Sequence, residues 1–476
     1  MEPNGVVRTE LLTGPAGSGK TFVLKQRIEE NPDSAVLCAT TGVAAVNLNT
    51  TTINSLLGYY DTADLLQKYT SGHLDATLRG IASKKCPKVV DVDEMSMMPA
   101  AQLDALYDAM YSVNMGDSEH EPLKHPLGLT LTGDFCQLPP VSTREKPAHW
   151  AFKAKCWPMF AANTTRLTKI WRQTDPGFLD AINHARAGRG NDAAVGLRSL
   201  GVEFCPRRDM HFDGTTIIAN NEEVDKFNSQ RLAQINEPSF ALSAQRWGVQ
   251  DRSWSSIPNV AYFKPTCLVM ILNNKKYGKF STGHDSPYMY VNGDLADVIE
   301  YVPETEARIE DSGYGDAEDV DFFERPQPLR STPGVLVINR RTGEEVFIAP
   351  ITRFNTLQGK PDDLERILGI VARMKYGPVP QVGTYAPYYN EEAKRWIIGS
   401  VTYFPLRLAY CTTVHKSQGL TLDRVQVDVQ APFFGMPGMA YVALSRVRAK
   451  EGLRIVGNVP LLGSRIKLNP EVKEYL

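Results

Sequence analysis

A chain of 476 residues, 42% hydrophobic and 22% charged, has the composition of an ordinary folded protein and room for roughly two to four domains. Its 52 Lys and Arg against 54 Asp and Glu leave a formal charge of −2, so bulk charge announces no nucleic-acid partner; a polynucleotide would need a local groove of N–H groups, hydroxyls and a few cations. No apolar run reaches the length of a membrane span, and Met1-Glu2-Pro3-Asn4-Gly5 does not read as a signal or transit peptide. The seven scattered cysteines (Cys38, Cys86, Cys136, Cys156, Cys205, Cys267, Cys411) include no C-x-x-C pair. They read as reduced thiols of a cytosol-like compartment, not as disulfides or zinc ligands.

In chain order the first signal is Leu11-Leu12-Thr13-Gly14-Pro15-Ala16-Gly17-Ser18-Gly19-Lys20-Thr21, which fits the phosphate-loop pattern G-x-x-x-x-G-K-[ST]. Val6, Val7, Leu11 and Leu12 ahead of it suit a strand, and Val23, Leu24 and Ile28 behind it recur at helical spacing. A strand, a loop and a helix in that order aim backbone N–H groups and a helix N-terminus at an anion. Gly14, Ala16, Gly17, Ser18, Gly19, Lys20 and Thr21 are therefore nucleotide-binding candidates. Glycines let the backbone wrap phosphates, Lys20 meets their charge, and the Thr21 hydroxyl suits Mg2+. Residues 34–39 predict a second buried strand, followed by the small residues of Thr40-Thr41-Gly42-Val43-Ala44-Ala45. Residues 59–88 are polar and weakly helical, with Lys84, Lys85 and Lys88 at their end, and predict an insertion off the main sheet.

Residues 88–94 predict a strand whose C-terminal end lies beside the phosphate loop in a parallel sheet. There Asp93 suits Mg2+, directly or through water, and Glu94 suits orienting the water that attacks a γ-phosphate. Asp91, inside the same strand, faces either a crevice or a buried polar partner. Another strand, 128–132, opens into Gly133-Asp134-Phe135-Cys136-Gln137-Leu138-Pro139-Pro140-Val141. This places Gln137 within reach of the γ-phosphate or its water, although alone the segment also reads as a plain strand exit. Strands alternating with helices through this third of the chain predict a parallel sheet covered on both faces.

Beyond Leu167-Thr168-Lys169-Ile170-Trp171-Arg172-Gln173 a second alternating region begins. Residues 214–219 predict a strand, Val224, Phe227, Leu232 and Ile235 an amphipathic helix, and 266–272 another buried strand. Composition changes after Asp294: residues 295–400 carry short β-rich runs broken by Gly and Pro, which predict a small β-barrel insert. Residues 304–324 within it are strongly acidic, and so are expected to be solvated and away from any polynucleotide. The second sheet is expected to resume at 403–410 and to continue through Thr413-Val414-His415-Lys416-Ser417-Gln418-Gly419 and the alternating Val425, Val427 and Val429. Residues 441–446 are expected to close it on a helix.

In this order the segments resemble the superfamily 1B DNA helicases of the Pif/RecD/Dda group, and most of all its Pif branch. The resemblance spans nearly the whole chain. It rests on GPAGSGKT, on ATTGVAA with TINSLLG, on DVDEMSMM, on LTGDFCQLPPV, on LTKIWRQTDPGF, and on the pair TTVHKSQGLTLD and YVALSRVR. GDFCQLPPV and HKSQG carry most of the specificity, because unrelated nucleotidases lack them. The resemblance implies an α/β fold of two RecA-like P-loop NTPase domains with parallel sheets. The first would cover 1–165, with its insertion at about 59–88; the second would cover 166–293 and 401–476, interrupted by an SH3-like β-rich insert over 294–400.

It further implies ATP and Mg2+ as cofactors, 5′-to-3′ movement on single-stranded DNA, and unwinding of tailed or forked duplex DNA. Lys20, Glu94 and Gln137 would act with arginine fingers at Arg172 and Arg446. Thr21 and Asp93 would hold the metal, and Gly419 would join the nucleotide contacts. Thr41, Gly42, Thr52 and Ser55 would touch DNA in the first domain, and His415, Lys416 and Ser417 in the second, gripping phosphates without reading sequence. Tyr59, Tyr60 and Tyr69 fit either the core or a strand-separating wedge. A monomer off the membrane is implied, with replication or repair proteins as further partners and a cytoplasmic, nucleoid or nuclear location.

Two departures stand out. The family's Gln-bearing segment ahead of the phosphate loop reads adenine, but none of the thirteen residues before Gly14 is Gln, so other NTPs become usable. Asn54 replaces the usual His of the TINSLL segment, which alters one DNA contact. With no long extra domain at either end, the chain reads as a bare motor. Two rival readings stay open: a translocase or RecD-like subunit that works only inside a larger complex, and a nucleotide-gated DNA-binding protein without productive turnover.

Overall fold

A computed structural model describes residues 7–48, 50–59, 61–82, 86, 88–118, 120–142, 148–251, 254–255, 257–273, 275–276, 288–290, 293–303, 333–372, 374, 385–391 and 395–476. The chain divides into two compact units, Met1–Phe227 with Cys411–Leu476, and Asn228–Tyr410.

The first unit contains two parallel sheets. One runs Thr51–Thr52, Ala35–Ala39, Val89–Asp93, Gly128–Gly133, Arg8–Thr13, Thr164–Arg166, every neighbouring pair parallel. Gly128–Gly133 is buried along its whole length, as a strand covered by helices on both faces must be. The helix Ala100–Met115 covers it, burying Leu103, Leu106, Met110 and Val113 at helical spacing and ending at Gly116. Against this helix pack the two helices of the predicted insertion, Thr62–Thr70 and His73–Ile81. Asp61 caps the first by accepting from Asp64 N–H at 3.0 Å. Leu65, Leu74, Leu78 and Ile81 turn inward, each burial contributing about 1.5–3 kcal/mol. Tyr59 takes the core alternative: it is buried and its hydroxyl donates to Gln102 Oε1 at 3.1 Å. Tyr69 is half-buried, while Tyr60, Lys84 and Lys85 lie outside the described residues.

The other parallel sheet runs Cys411–Thr413, Thr215–Ile218, Val425–Asp428, Leu453–Val456, Glu203–Cys205. Val425–Asp428 is buried on both faces, so the Val alternation read there reflects a central strand and not a half-exposed one.

The second unit is antiparallel. Glu345–Ile348, Gly334–Asn339, Leu295–Val302, Leu268–Ile271 and Leu406–Leu408 form one sheet; Gln245–Gly248, Arg395–Tyr403 and Ile351–Gln358 form another, with Tyr388–Asn390 added to it. Segments 266–272 and 403–410, read above as parts of the second parallel region, therefore pair with each other and with the insert. Leu268–Ile271 is apolar and buried throughout, and such a run carries no signal of strand direction. The acidic stretch 304–324 lies outside the described residues.

All seven cysteines are free thiols and six are buried. Among the described residues no helix is long and apolar enough to cross a membrane.

Candidate active site

The site begins where the strand Arg8–Thr13 ends. Gly17 and Gly19 sit at φ 80° and 88°, the left-handed region that side chains resist, and Gly19 delivers the chain into the helix Lys20–Glu30. A side chain at Gly17 would also start 2.6 Å from Arg172 Cβ. Segment 167–172 lies along the loop: Leu167 N–H donates to Thr13 O and Trp171 N–H to Gly17 O, both at 2.8 Å. Lys20 is buried, and its Nζ donates to Gly14 O at 2.7 Å and Pro15 O at 3.0 Å. Burial lowers its pKa; Asp134, Glu94 and Asp93 oppose that shift and Arg172 adds to it, so these five groups share one electrostatic neighbourhood.

On the acidic side, Thr21 Oγ1 donates to Asp93 Oδ2 at 3.0 Å. Asp93 is buried, and burial followed by the adjacent Glu94 carboxylate raises its pKa. Glu94 takes a left-handed backbone (φ 56°, ψ 42°) and accepts from Gln418 Nε2 at 2.9 Å. Asp91 resolves toward burial: desolvation pushes it up to about 6, and its Oδ1 has no hydrogen-bond partner. Gln137 is buried with Oε1 also unpartnered, as is Ser18 Oγ in the phosphate loop. Buried polar atoms left open in this way are where a ligand's donors and acceptors fit.

The arginines face the same groups. Arg172 Nε donates to Thr421 Oγ1 at 3.0 Å and Nη1 to Ser445 O at 2.9 Å. Burial, then Arg446, pulls its pKa down to about 9. Arg446 is fully buried, with Nε on Val442 O at 2.7 Å, Nη1 on Leu420 O at 3.3 Å and Ser417 O at 3.5 Å, and Nη2 on Ser445 Oγ at 2.8 Å. Burial lowers its pKa, while Glu94, Tyr441 and Asp134 oppose the shift.

Sequence reasoning missed the contact that joins the two halves. The Tyr441 hydroxyl accepts from Ala16 N–H at 2.8 Å and donates to Asp134 Oδ2 at 3.0 Å; Arg186 pairs with Asp134 Oδ1 at 3.0 Å. Asp134 and Tyr441 both lay inside quoted motifs, and a carboxylate at the end of a buried strand was the available signal. Tyr441→Phe strands the Ala16 donor and leaves Asp134 Oδ2 with only the longer bond from Arg186 Nε at 3.3 Å. It is expected to lower unfolding free energy by about 1–3 kcal/mol, read from urea midpoints at unchanged m-value.

The DNA-contact candidates fall into two turns. Thr41 is half-buried and its Oγ1 accepts from Ala44 N–H at 3.1 Å; next to it Gly42 has open space where a side chain would start. Thr52 is a helix cap, accepting from Ser55 N–H at 3.2 Å, with Ser55 half-buried. In the other turn His415 is exposed, Lys416 half-buried and Gly419 exposed at φ 80°. Ser417 is fully buried and its hydroxyl donates to Val414 O at 2.8 Å, so the outward face of that turn is His415 and Lys416.

Fold and site together define a P-loop NTPase with two parallel sheets around one phosphate loop. Residues 6–191 match the family described as PIF1-like helicase, and nearly the whole chain is similar to named Pif1 helicases. It is 27% identical to the ATP-dependent DNA helicase Pif1 of Bdellovibrio bacteriovorus, over 98% of this chain and 87% of that one. It is 26% identical to the ATP-dependent DNA helicase PIF1 of Emericella nidulans, over 97% of this chain but only 60% of the fungal protein. The crystal structure of Bacteroides Pif1 with ADP-AlF4 shares the fold at a TM-score of 0.65 and 23% identity, covering 99% of this chain and 92% of that one. A second Bacteroides Pif1 structure, in complex with ADP-AlF3 and ssDNA, is similar at a TM-score of 0.55 and 25% identity, covering 98% and 91%.

Proposed function

We propose that this chain is an ATP-dependent DNA helicase that moves 5′-to-3′ on single-stranded DNA and unwinds tailed or forked duplexes. The observation that carries the reading is the convergence of Lys20, Thr21, Asp93 and Glu94 with Arg172, Gln418, Tyr441 and Arg446 on one loop. The similar proteins that are ATP-dependent DNA helicases, and the nucleotide and DNA complex of a similar structure, support it.

In this reading the loop amides and Lys20 bind the triphosphate, and Ser18 Oγ adds an open donor. Thr21 and Asp93 would hold Mg2+, which when bound supplies charge neutralisation at the β- and γ-phosphates. Among the described residues no cluster of three or more His, Cys, Asp or Glu forms a metal cage, and Mg2+ fits that, because it keeps waters and phosphate oxygens alongside one or two protein ligands. Glu94 and Gln137 Oε1 orient the attacking water, and Arg172 and Arg446 stabilise the charge that develops. The turns carrying Thr41, Gly42, Thr52 and Ser55, and His415 and Lys416, grip the strand by its phosphates. Nucleotide-driven closure moves the two turns relative to each other and so advances the strand.

We assign the motor to residues 1–227 with 411–476 and the β-rich insert to the antiparallel unit 228–410, wider than the 294–400 read from sequence, together with a monomeric state and replication or repair partners. Trp171 offers the base a platform. The Trp171 indole is 64% exposed, lies within 4 Å of where a side chain on Gly19 would begin, and carries Lys169 Nζ over its ring at 3.5 Å. Trp171→Ala should raise KM for ATP about tenfold with little change in kcat, the size of one lost stacking contact.

Two duplexes, one with only a 5′ and one with only a 3′ single-stranded tail, test activity and direction together. Strand separation of the 5′-tailed substrate alone is the expected result. ATP turnover on DNA without unwinding of either substrate replaces it with the translocase reading.

A further inference from the structure

We propose that Thr40 and Gln418 couple polynucleotide occupancy to Glu94, so that each strand-gripping turn acts on hydrolysis through one hydrogen bond; this rests on the helicase reading above. Glu94 is held at two points. At its main chain, Thr40 Oγ1 donates to Glu94 O at 2.7 Å, while Thr40 N–H donates to Asp93 O at 3.1 Å. Thr40 directly precedes Thr41 and Gly42. At its side chain, Gln418 Nε2 donates to Glu94 Oε2 at 2.9 Å, joining residues 324 positions apart. Gln418 directly follows the turn Val414–Ser417, and its N–H donates to His415 O at 3.3 Å. Both turns are therefore one residue away from a bond to the same acidic residue.

The element they act on is suited to switching. Glu94 is not glycine, yet it sits at φ 56° and ψ 42°, a conformation that persists only where the surroundings fix it. Its fixings are the two bonds just described, together with Glu94 N–H to Asp93 Oδ1 at 2.8 Å and Met97 N–H to Glu94 O at 3.2 Å. The Gln418 side chain is buried, and its Oε1 finds no hydrogen-bond partner, so among the described residues Glu94 is what holds the carboxamide. A shift of the 415–417 turn toward a phosphate is thus passed to the carboxylate without a competing anchor. Likewise, a shift at Thr41 and Gly42 is passed to the Glu94 peptide. A strand that binds the shifted turns more tightly selects the arrangement in which Glu94 addresses the water.

The test is steady-state ATP hydrolysis by the full chain, with and without oligo(dT), in Gln418→Ala, Thr40→Val and Thr40→Ser, with oligo(dT) and ATP-analogue affinities measured alongside. The ratio of DNA-stimulated to DNA-free turnover is expected to fall about tenfold or more in Gln418→Ala and Thr40→Val, the size of a typical coupling between sites. Thr40→Ser, which keeps the hydroxyl, retains the ratio, and both affinities stay near those of the parent. An unchanged ratio, including one in which both rates drop together, overturns the coupling. Lost analogue affinity in Gln418→Ala marks a collapsed site, and the Val–Ser pair at Thr40 then decides. A parent chain indifferent to DNA is a separate result that removes the helicase reading itself.

Discussion

Glu94→Gln is expected to lower ATP turnover on single-stranded DNA by about 10²–10⁴-fold while nucleotide-dependent DNA binding survives. The substitution keeps the side chain's length and one carbonyl-type acceptor, so the bond from Gln418 Nε2 can persist. Lys20, Thr21 and Asp93, which hold the phosphates and metal in the proposed mechanism, are untouched. What disappears is the negative charge that, in the proposed mechanism, orients water and draws its proton. The backbone at Glu94 stores about 1–3 kcal/mol of strain whichever of the two residues is present, so stability should change little. Turnover by a coupled phosphate assay and DNA binding by anisotropy, with and without a non-hydrolysable analogue, separate the outcomes. If analogue-dependent DNA binding vanishes along with turnover, Glu94 is holding the nucleotide and the assigned role is wrong.

What could be read from the residues alone follows from where each contact's partner lies along the chain. The phosphate loop was legible because its chemistry is local: Gly17, Gly19, Lys20 and Thr21 are close neighbours, and backbone geometry dictates their types. Asp93 and Glu94 were legible because a parallel sheet puts strand ends on one rim, and Thr21 Oγ1 does meet Asp93. Tyr441 was not, because its partner Asp134 is 307 residues away and a Tyr on a short apolar helix reads as core. The resemblance implied a phosphate contact at Ser417, yet the turn folds its hydroxyl onto Val414 O. Leu268–Ile271 is the buried strand that was read, but its sheet and direction were not legible. Burial on both faces erases the alternation that distinguishes strand environments, and direction follows only from the partners Leu295–Val302 and Leu406–Leu408.

The two arginines carry the other large effect, and their surroundings predict different phenotypes. Arg446 has five N–H donors, and four acceptors already engage it: Val442 O, Leu420 O, Ser417 O and Ser445 Oγ. Arg446→Ala removes a buried cation and takes from Leu420 O its arginine donor, while Val442 O keeps Ser445 Oγ and Ser417 O keeps Leu420 N–H; stability and turnover should fall together, the former by about 1–3 kcal/mol. Among the described residues Arg172 is engaged through Nε and Nη1, and Nη2 is left for a ligand. A finger supplied this way is worth about 10³–10⁵ in rate, so Arg172→Ala should lose that factor in kcat. Its urea midpoint should remain close to the parent's, since Thr421 Oγ1 and Ser445 O keep other options: Gln173 Nε2 already reaches Ser445 O at 3.3 Å. Arg172→Lys should not restore the rate, because an ammonium cannot hold Thr421 and Ser445 and still present a planar fork to a phosphoryl group. Near-parental turnover in Arg172→Ala would transfer the finger role to Arg446 alone, and with it the requirement that the buried guanidinium exchange backbone carbonyls for phosphate.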